Sequence, residues 1–220
     1  MNITYEDVRN SPEIRTYITQ ADASLLALGY TEHSFAHVGR CAQVAADILT
    51  KLNYSEREVE LARIAAFMHD IGNVINRVDH AQSGAVMAFR ILDKMGMEPA
   101  DVAAVVTAIG NHDEHTAFPV NAVAAALILA DKTDVRRSRV RNHDATTFDI
   151  HDRVNYAVEE SDLTLNTDAR TLKLSLTINT QVCAVMDYFE IFLQRMVLCR
   201  KAAEALGLRF HLEINGQILL

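Results

Sequence analysis

Ala65-Ala66-Phe67-Met68-His69-Asp70-Ile71-Gly72 is the stretch on which the reading of the chain turns. Its apolar residues close a run in which Val59, Leu61, Ile64, Ala65, Phe67 and Met68 recur at helical spacing, behind a Ser55/Glu58 capping box, so the segment reads as a helix entering a core and stopped by Gly72. An imidazole and a carboxylate follow directly. Two ionisable groups in such a place are costly unless they are paired or hold a cation.

Helical periodicity extends on both sides of this stretch, up to about residue 142. Ser11-Pro12-Glu13 starts a helix that Gly29 ends, and Thr31 is the expected cap of the next, which runs to about Leu52. Further helices are expected over Asp79 to Met95, from Pro99 to Gly110, and from Pro119 through Ala124, Leu127, Ile128 and Asp131. Six or seven consecutive helices with short loops make an all-α bundle over 1–142. After residue 150 the period becomes two: Val154, Tyr156 and Val158, then Leu172, Leu174, Leu176 and Ile178, then Leu208, Phe210, Leu212 and Ile214. A helix from Thr180 to Gly207, with Val182, Val185, Met186, Phe189, Leu193 and Met196 on one face, separates the last two strands. The fold class is therefore mainly α, a helical bundle with a small C-terminal α+β (β-β-α-β) appendage over 143–220. The apolar face of the Leu172 strand needs a cover, which that helix or a second copy in a homodimer would supply.

Composition narrows the function classes. The 220 residues carry 21 Lys and Arg against 29 Asp and Glu, a net charge of −8, which disfavours tracking the phosphates of polymeric nucleic acid. No apolar run reaches the roughly 18 residues that a membrane span needs. Cys41, Cys183 and Cys199 show no CxxC spacing and read as reduced thiols, the expectation for a cytoplasmic protein.

Nine histidines are present, six of them between positions 33 and 115. His37, His69, Asp70, His80, His112 and Asp131 each fall near the end or inner edge of a different expected helix, where facing helices of a bundle can converge on a metal. Asp131, like Asp70, follows an apolar run. Imidazole with carboxylate and no thiolate suits Fe, Mn, Co, Ni or Zn rather than a structural zinc site, and two divalent ions that share Asp70 would use all six groups. His33, one helical turn before His37, is expected to support the site rather than to ligate. His115 reads as solvent-exposed, and His143, His151 and His211 as structural.

The chain from about 31 to 140 resembles the HD-domain metal-dependent phosphohydrolase superfamily. His37 precedes His69-Asp70-Ile71-Gly72 by 32 residues, as in that family's HDIG pattern, and Leu129-Ala130-Asp131-Lys132 is similar to its final aspartate motif. Asp79-His80-Ala81 and Asn111-His112 resemble the extra histidine motifs of the two-metal branch, whose members hydrolyse dinucleoside polyphosphates or cyclic dinucleotides. The resemblance implies that His37, His69, Asp70 and Asp131 hold one ion, that Asp70 bridges to a second held by His80 and His112, and that His69 and Asp70 are the catalytic pair. Many members have lysine where this chain has Asn73.

The reaction so implied is hydrolysis of a phosphate ester or anhydride, with a small phosphorylated molecule, a nucleotide, as substrate and a water activated between two ions. Arg136 or Arg137, with Lys132 four residues before Arg136, is the expected phosphate clamp. Two other classes share the ligand set: a di-iron oxygenase of the same fold, and a signalling module without turnover.

Overall fold

A computed structural model describes residues 2–142 and 148–219. His143 lies outside them. Short polar caps set the register of the bundle. Thr4 and Asp7 form a capping box that opens α1 (Tyr5–Asn10), an element the sequence reading does not include. Ser11 Oγ accepts from the Ile14 amide at the start of α2 (Pro12–Ala27). In α3 (Phe35–Lys51) the cap is Ser34 and not Thr31, because Ser34 Oγ accepts from the Ala36 amide at 3.1 Å. The Ser55/Glu58 box opens α4 (Glu56–Met68).

Gly72 does not terminate α4, which ends at Met68 with His69 as its cap. Gly72 sits instead in a 3-10 turn, Ile71–Val74, pressed against α5 (His80–Lys94). A Cβ there would lie 2.0 Å from the His80 carbonyl oxygen and 2.5 Å from the Gly84 amide nitrogen, so only glycine lets the two backbones meet. Then come α6 (Pro99–Gly110) and α7 (Ala122–Lys132). Asn121, two residues after Pro119, caps α7, its Oδ1 accepting from the Ala124 amide at 2.8 Å. Residues Val123 to Ala130 are all buried, so α7 is the axis of the bundle.

In the C-terminal part, the alternation of Val154, Tyr156 and Val158 misleads. Asp149 accepts from the Asp152 amide at 2.7 Å and opens a helix, α8 (Ile150–Ala157), and the first strand begins only where that helix stops. Strands β1 (Val158–Asn166) and β2 (Thr171–Ile178) pair antiparallel; α9 (Val185–Ala205) crosses over to β3 (Arg209–Ile214), parallel to β2; β4 (Gln217–Ile218) closes the sheet in the order β1-β2-β3-β4. The β-β-α-β order thus holds, with α8 before it and β4 after it.

Residues 180–183 form a turn on the Asn179 carbonyl, so α9 starts at Val185 rather than Thr180. Its buried face is Tyr188, Phe192, Met196, Cys199 and Ala203, whereas Met186 and Leu193 are 74% and 51% exposed. Leu172, Leu174, Leu176 and Ile178 are buried within the single chain, in one core continuous with the bundle. No helix among the described residues is long and apolar enough to cross a membrane.

Candidate metal centre

Five helix ends meet at one point: the start of α3 brings His37, the residues just past α4 bring His69 and Asp70, the first residue of α5 is His80, His112 lies just past α6, and Asp131 is one residue from the end of α7. All four imidazoles are buried. Each turns Nδ1 outward to an acceptor and Nε2 inward. His69 Nδ1 donates to the Ala66 carbonyl at 2.8 Å, His80 Nδ1 to the Arg77 carbonyl at 3.1 Å and His112 Nδ1 to the Ile109 carbonyl at 2.6 Å, always three residues back. His37 Nδ1 donates to Asp134 Oδ2 at 2.8 Å. A carbonyl only accepts, so the proton resides on Nδ1 and the Nε2 lone pairs converge.

Asp70 lies between two sets of these nitrogens. Its Oδ2 is 3.1 Å from His69 Nε2 and 3.7 Å from His37 Nε2, and its Oδ1 is 3.7 Å from His80 Nε2. Asp131 Oδ1 is 3.4 Å from His37 Nε2 and 3.8 Å from His69 Nε2. His80 and His112 face each other with Nε2 atoms 3.2 Å apart. The six groups fall into overlapping sets, His37-His69-Asp70, His69-His112-Asp131 and Asp70-His80-His112, each with donor atoms within 4.8 Å of one another.

This donor set fits divalent cations. His69 Nε2 and Asp70 Oδ2 are buried 3.1 Å apart as two acceptors, and neither has a hydrogen-bond partner. Two imidazole lone pairs 3.2 Å apart, as in His80 and His112, repel unless positive charge stands between them. Burial pushes the Asp70 and Asp131 carboxyls up, but His69 and His33 beside Asp70, and Lys132 beside Asp131, outweigh it and hold both well below the usual range, fully ionised. Burial, together with the nearby His69 and Lys132, brings His112 down to about 3, so it stays neutral and able to ligate. Cys41 Sγ, 3.6 Å from His37 Nδ1, has its thiol pushed well up by burial and by Asp131 and Asp134, and adds no thiolate to the set.

The residues that support the site were mostly not singled out in the sequence. Asp134, buried behind His37, is held by Arg136 and Arg40; burial raises its carboxyl, and His37, Arg136 and Arg139 outweigh that and lower it. Asn73 Nδ2 donates to Asp70 Oδ1 and to the Asp70 carbonyl, both at 2.9 Å, so the residue found in place of lysine orients the central carboxylate. No local pattern marks either role; Asp134 in particular is brought to His37 only by packing of α3 on the end of α7.

A cleft of about 320 Å³ opens onto Asp70, His80, His112 and Asp131. Its cations are Lys132, Arg77, Arg139 and Arg195, and α8 with its cap Asp149 supplies a further wall through His151, Asp152 and Asn155. Lys132 Nζ pairs with Asp131 Oδ2 at 2.7 Å and with Glu114 Oε2 at 2.8 Å. The expected clamp residues Arg136 and Arg137 are not in the cleft. The helix ends at Lys132, which destroys the i, i+4 relation, and the guanidinium of Arg136 is taken by Asp134 through two nitrogens. Arg137 donates to the Tyr156 carbonyl at 2.6 Å and lies over that ring. His33 lines the cleft with its ring edge-on to His37, and His115 is exposed. His151, expected to be structural, stands on the cleft wall, whereas His211 lies on β3.

A helical bundle whose helix ends gather four imidazoles and two carboxylates defines a class of metal-binding α-domains. Residues 34–191 match the HD domain family, and the chain belongs to it. It is similar to the crystal structure of a predicted HD superfamily hydrolase from an uncultured Thermotogales bacterium, with 28% identity over 56% of this chain and 67% of the other and a TM-score of 0.45. No curated protein matches the chain.

Proposed function

We propose that this HD-domain chain is a metal-dependent phosphohydrolase that holds two divalent ions and hydrolyses a phosphate ester or anhydride of a nucleotide. The observation that carries the reading is the placement of Asp70, whose Oδ2 faces His37 and His69 while its Oδ1 faces His80. One carboxylate disposed towards two imidazole sets suits a bridge between two cations. His37, His69, Asp70 and Asp131 would hold one ion and Asp70, His80 and His112 the other. Divalent ions of this kind would polarise a phosphoryl oxygen and lower the pKa of a bound water to about 7.

The protein's own groups do the rest. Asn73 fixes the Asp70 carboxylate, and the backbone carbonyls behind His69, His80 and His112 keep their lone pairs inward. Arg77 gives the cleft positive charge for an anionic substrate in a chain of net charge −8, beside Arg195, whose Nε is paired with Glu114 Oε1 at 3.0 Å. Arg77 Nη1 stands 3.3 Å from His80 Nε2, close enough to reach a phosphate oxygen at the metal centre. The α8 wall, with Asn155 and Asp152, offers hydrogen-bonding groups to the part of the substrate that leaves the centre.

The test is hydrolysis of mono-, di- and cyclic nucleotides by metal-stripped protein given Mn, Fe, Co or Mg, read as inorganic phosphate or nucleoside from the open nucleotides and as the ring-opened nucleoside monophosphate from the cyclic ones. Turnover that needs added metal and disappears in Asp70→Ala supports the reading. Oxygen consumption by iron-loaded protein without hydrolysis of any of these nucleotides would replace it with an oxygenase, and a metal-loaded protein inert to both nucleotides and oxygen would replace it with a module lacking turnover.

A further inference from the structure

A second cleft, away from the metal centre, lies on the far side of α3. By helical periodicity, Phe35, Gly39, Ala42 and Gln43 share one face of α3 while His37 and Cys41 occupy the opposite one. The cleft over the first face measures about 550 Å³ and is completed by Tyr5, Glu6 and Arg9 of α1, Arg15 of α2 and Arg63 and Phe67 of α4. Three arginines meet one carboxylate there, in a chain whose net charge is −8.

Two of those arginines have no carboxylate partner among the described residues. Arg9 pairs with Glu6 at 3.3 Å, but Arg15 lies over the Phe35 ring at 4.5 Å and Arg63 over the Tyr5 ring at 6.0 Å, and Arg63 Nε is buried with no hydrogen-bond partner. The rings form a cluster of their own, Tyr5 edge-on to Phe67 at 5.6 Å and Phe35 tilted on Phe67 at 6.2 Å. Guanidinium groups fit phosphate oxygens through paired donors, and aromatic faces take a planar ring. Gly39 is a second, independent sign. Glycine inside a helix costs about 1 kcal/mol relative to alanine, and a Cβ at Gly39 would meet nothing within 4 Å, so packing against the protein does not require it. The space that it leaves is the cleft.

We propose that this cleft is a second ligand site, separate from the metal centre, for a small organic anion that carries a phosphate-like dianionic group beside an aromatic ring. Arg15 and Arg63 take the dianion, Tyr5, Phe35 and Phe67 take the ring, and Gly39 gives the ligand access to the floor.

The probe is 1-naphthylmethylphosphonate, whose C–P bond a P–O hydrolase does not cleave, titrated calorimetrically into metal-loaded protein. Methylphosphonate and 1-naphthalenemethanol, the anion alone and the ring alone, are expected to bind at least tenfold more weakly. Arg63→Ala, which removes the dianion contact, and Gly39→Leu, which fills the floor, should each weaken this binding event at least tenfold while metal content stays at the wild-type value. Any binding at the metal centre would survive both substitutions. Wild-type isotherms in both folded variants, or no binding event in the wild type that they diminish, would overturn the proposal and reduce the arginines to covers for the rings they stack on.

Discussion

Nδ1 of His37 and Oδ2 of Asp134 lie 2.8 Å apart, joining residues 97 positions distant in the chain. The bond fixes which His37 nitrogen faces Asp70 and Asp131. Partners of this kind typically contribute 10 to 100-fold to metal affinity or activity. Asp134→Ala should therefore weaken metal binding roughly 10 to 100-fold, and Asp134→Asn, which keeps one acceptor oxygen, by less. Metal titration of the stripped variants decides it; affinity equal to wild type in both would mean that His37 needs no brace.

Gly72 and Gly39 should respond oppositely to alanine. A Cβ at Gly72 would lie 2.0 Å from the His80 carbonyl oxygen, which belongs to backbone and cannot swing away. Gly72→Ala should lower stability by about 1–3 kcal/mol or more, the scale of overpacking, and displace His80. Gly39→Ala, with open space around it, should raise stability by roughly 0.5–1 kcal/mol. Denaturant unfolding of the two variants measures both signs.

Among the cations, Arg77 is expected to matter for turnover and Arg137 not. Loss of one donor aimed at developing charge typically costs about 100 to 1000-fold in rate, so Arg77→Ala should fall in that range at saturating metal. Arg137→Ala should keep wild-type kcat/KM because its guanidinium is bonded to the Tyr156 carbonyl. Arg136→Ala should show a defect only at limiting metal, through Asp134. Steady-state kinetics at two metal concentrations separates the three.

The pH dependence of metal-stripped protein has a definite sign. Burial lowers His33, His80 and His112, the last to about 3, against an ordinary value of 6.5. Below pH 6.5 the unfolded chain takes up protons that the folded chain refuses, so stability falls as pH falls from 6.5 towards 3. Asp70 and Asp131, held low, add a further loss below about 4, the ordinary carboxylate value. His69 acts the other way: burial lowers it, but Asp70 and Asp131 outweigh that and raise it, so its contribution is full below 6.5 and is lost only as pH rises through its folded value. Thermal unfolding at pH 7 and pH 4.5 should show the lower midpoint at pH 4.5, and a rise on acidification would contradict it.

The parts of the fold visible in the sequence are those governed by local chemistry. Ser11 with Pro12 and Ser55 with Glu58 announce helix starts because a cap acts within three residues, and Pro99 does so because its fixed φ suits the first helical position. The misreading at Val154 to Val158 has the same origin in reverse: a short alternation imitates a strand, while the Asp149 cap that makes it helical stands before it. His69, Asp70 and Asp131 were noticeable because charge after an apolar run is anomalous, His37, His80 and His112 because histidines cluster near the ends of successive expected helices and match the motifs of the family resembled, and the structure brings all six together. Asp134, Arg77 and the α8 wall were not, since their places depend on how helices distant in sequence pack, and Asn73 was noticeable only as a departure from the usual lysine, without its bond to Asp70. Arg136 illustrates the limit most plainly, as its expected direction assumed a helix that had already ended at Lys132.

The most direct test of the central claim is elemental analysis of gently purified wild-type protein beside Asp70→Ala. The arrangement of Asp70 between His37, His69 and His80 predicts about two equivalents of Fe, Mn, Co, Ni or Zn per chain in the wild type, or their restoration by added metal, and loss of both ions from the variant. A wild type that remains near zero after metal is added, or an Asp70→Ala variant that keeps the full wild-type content, would contradict it.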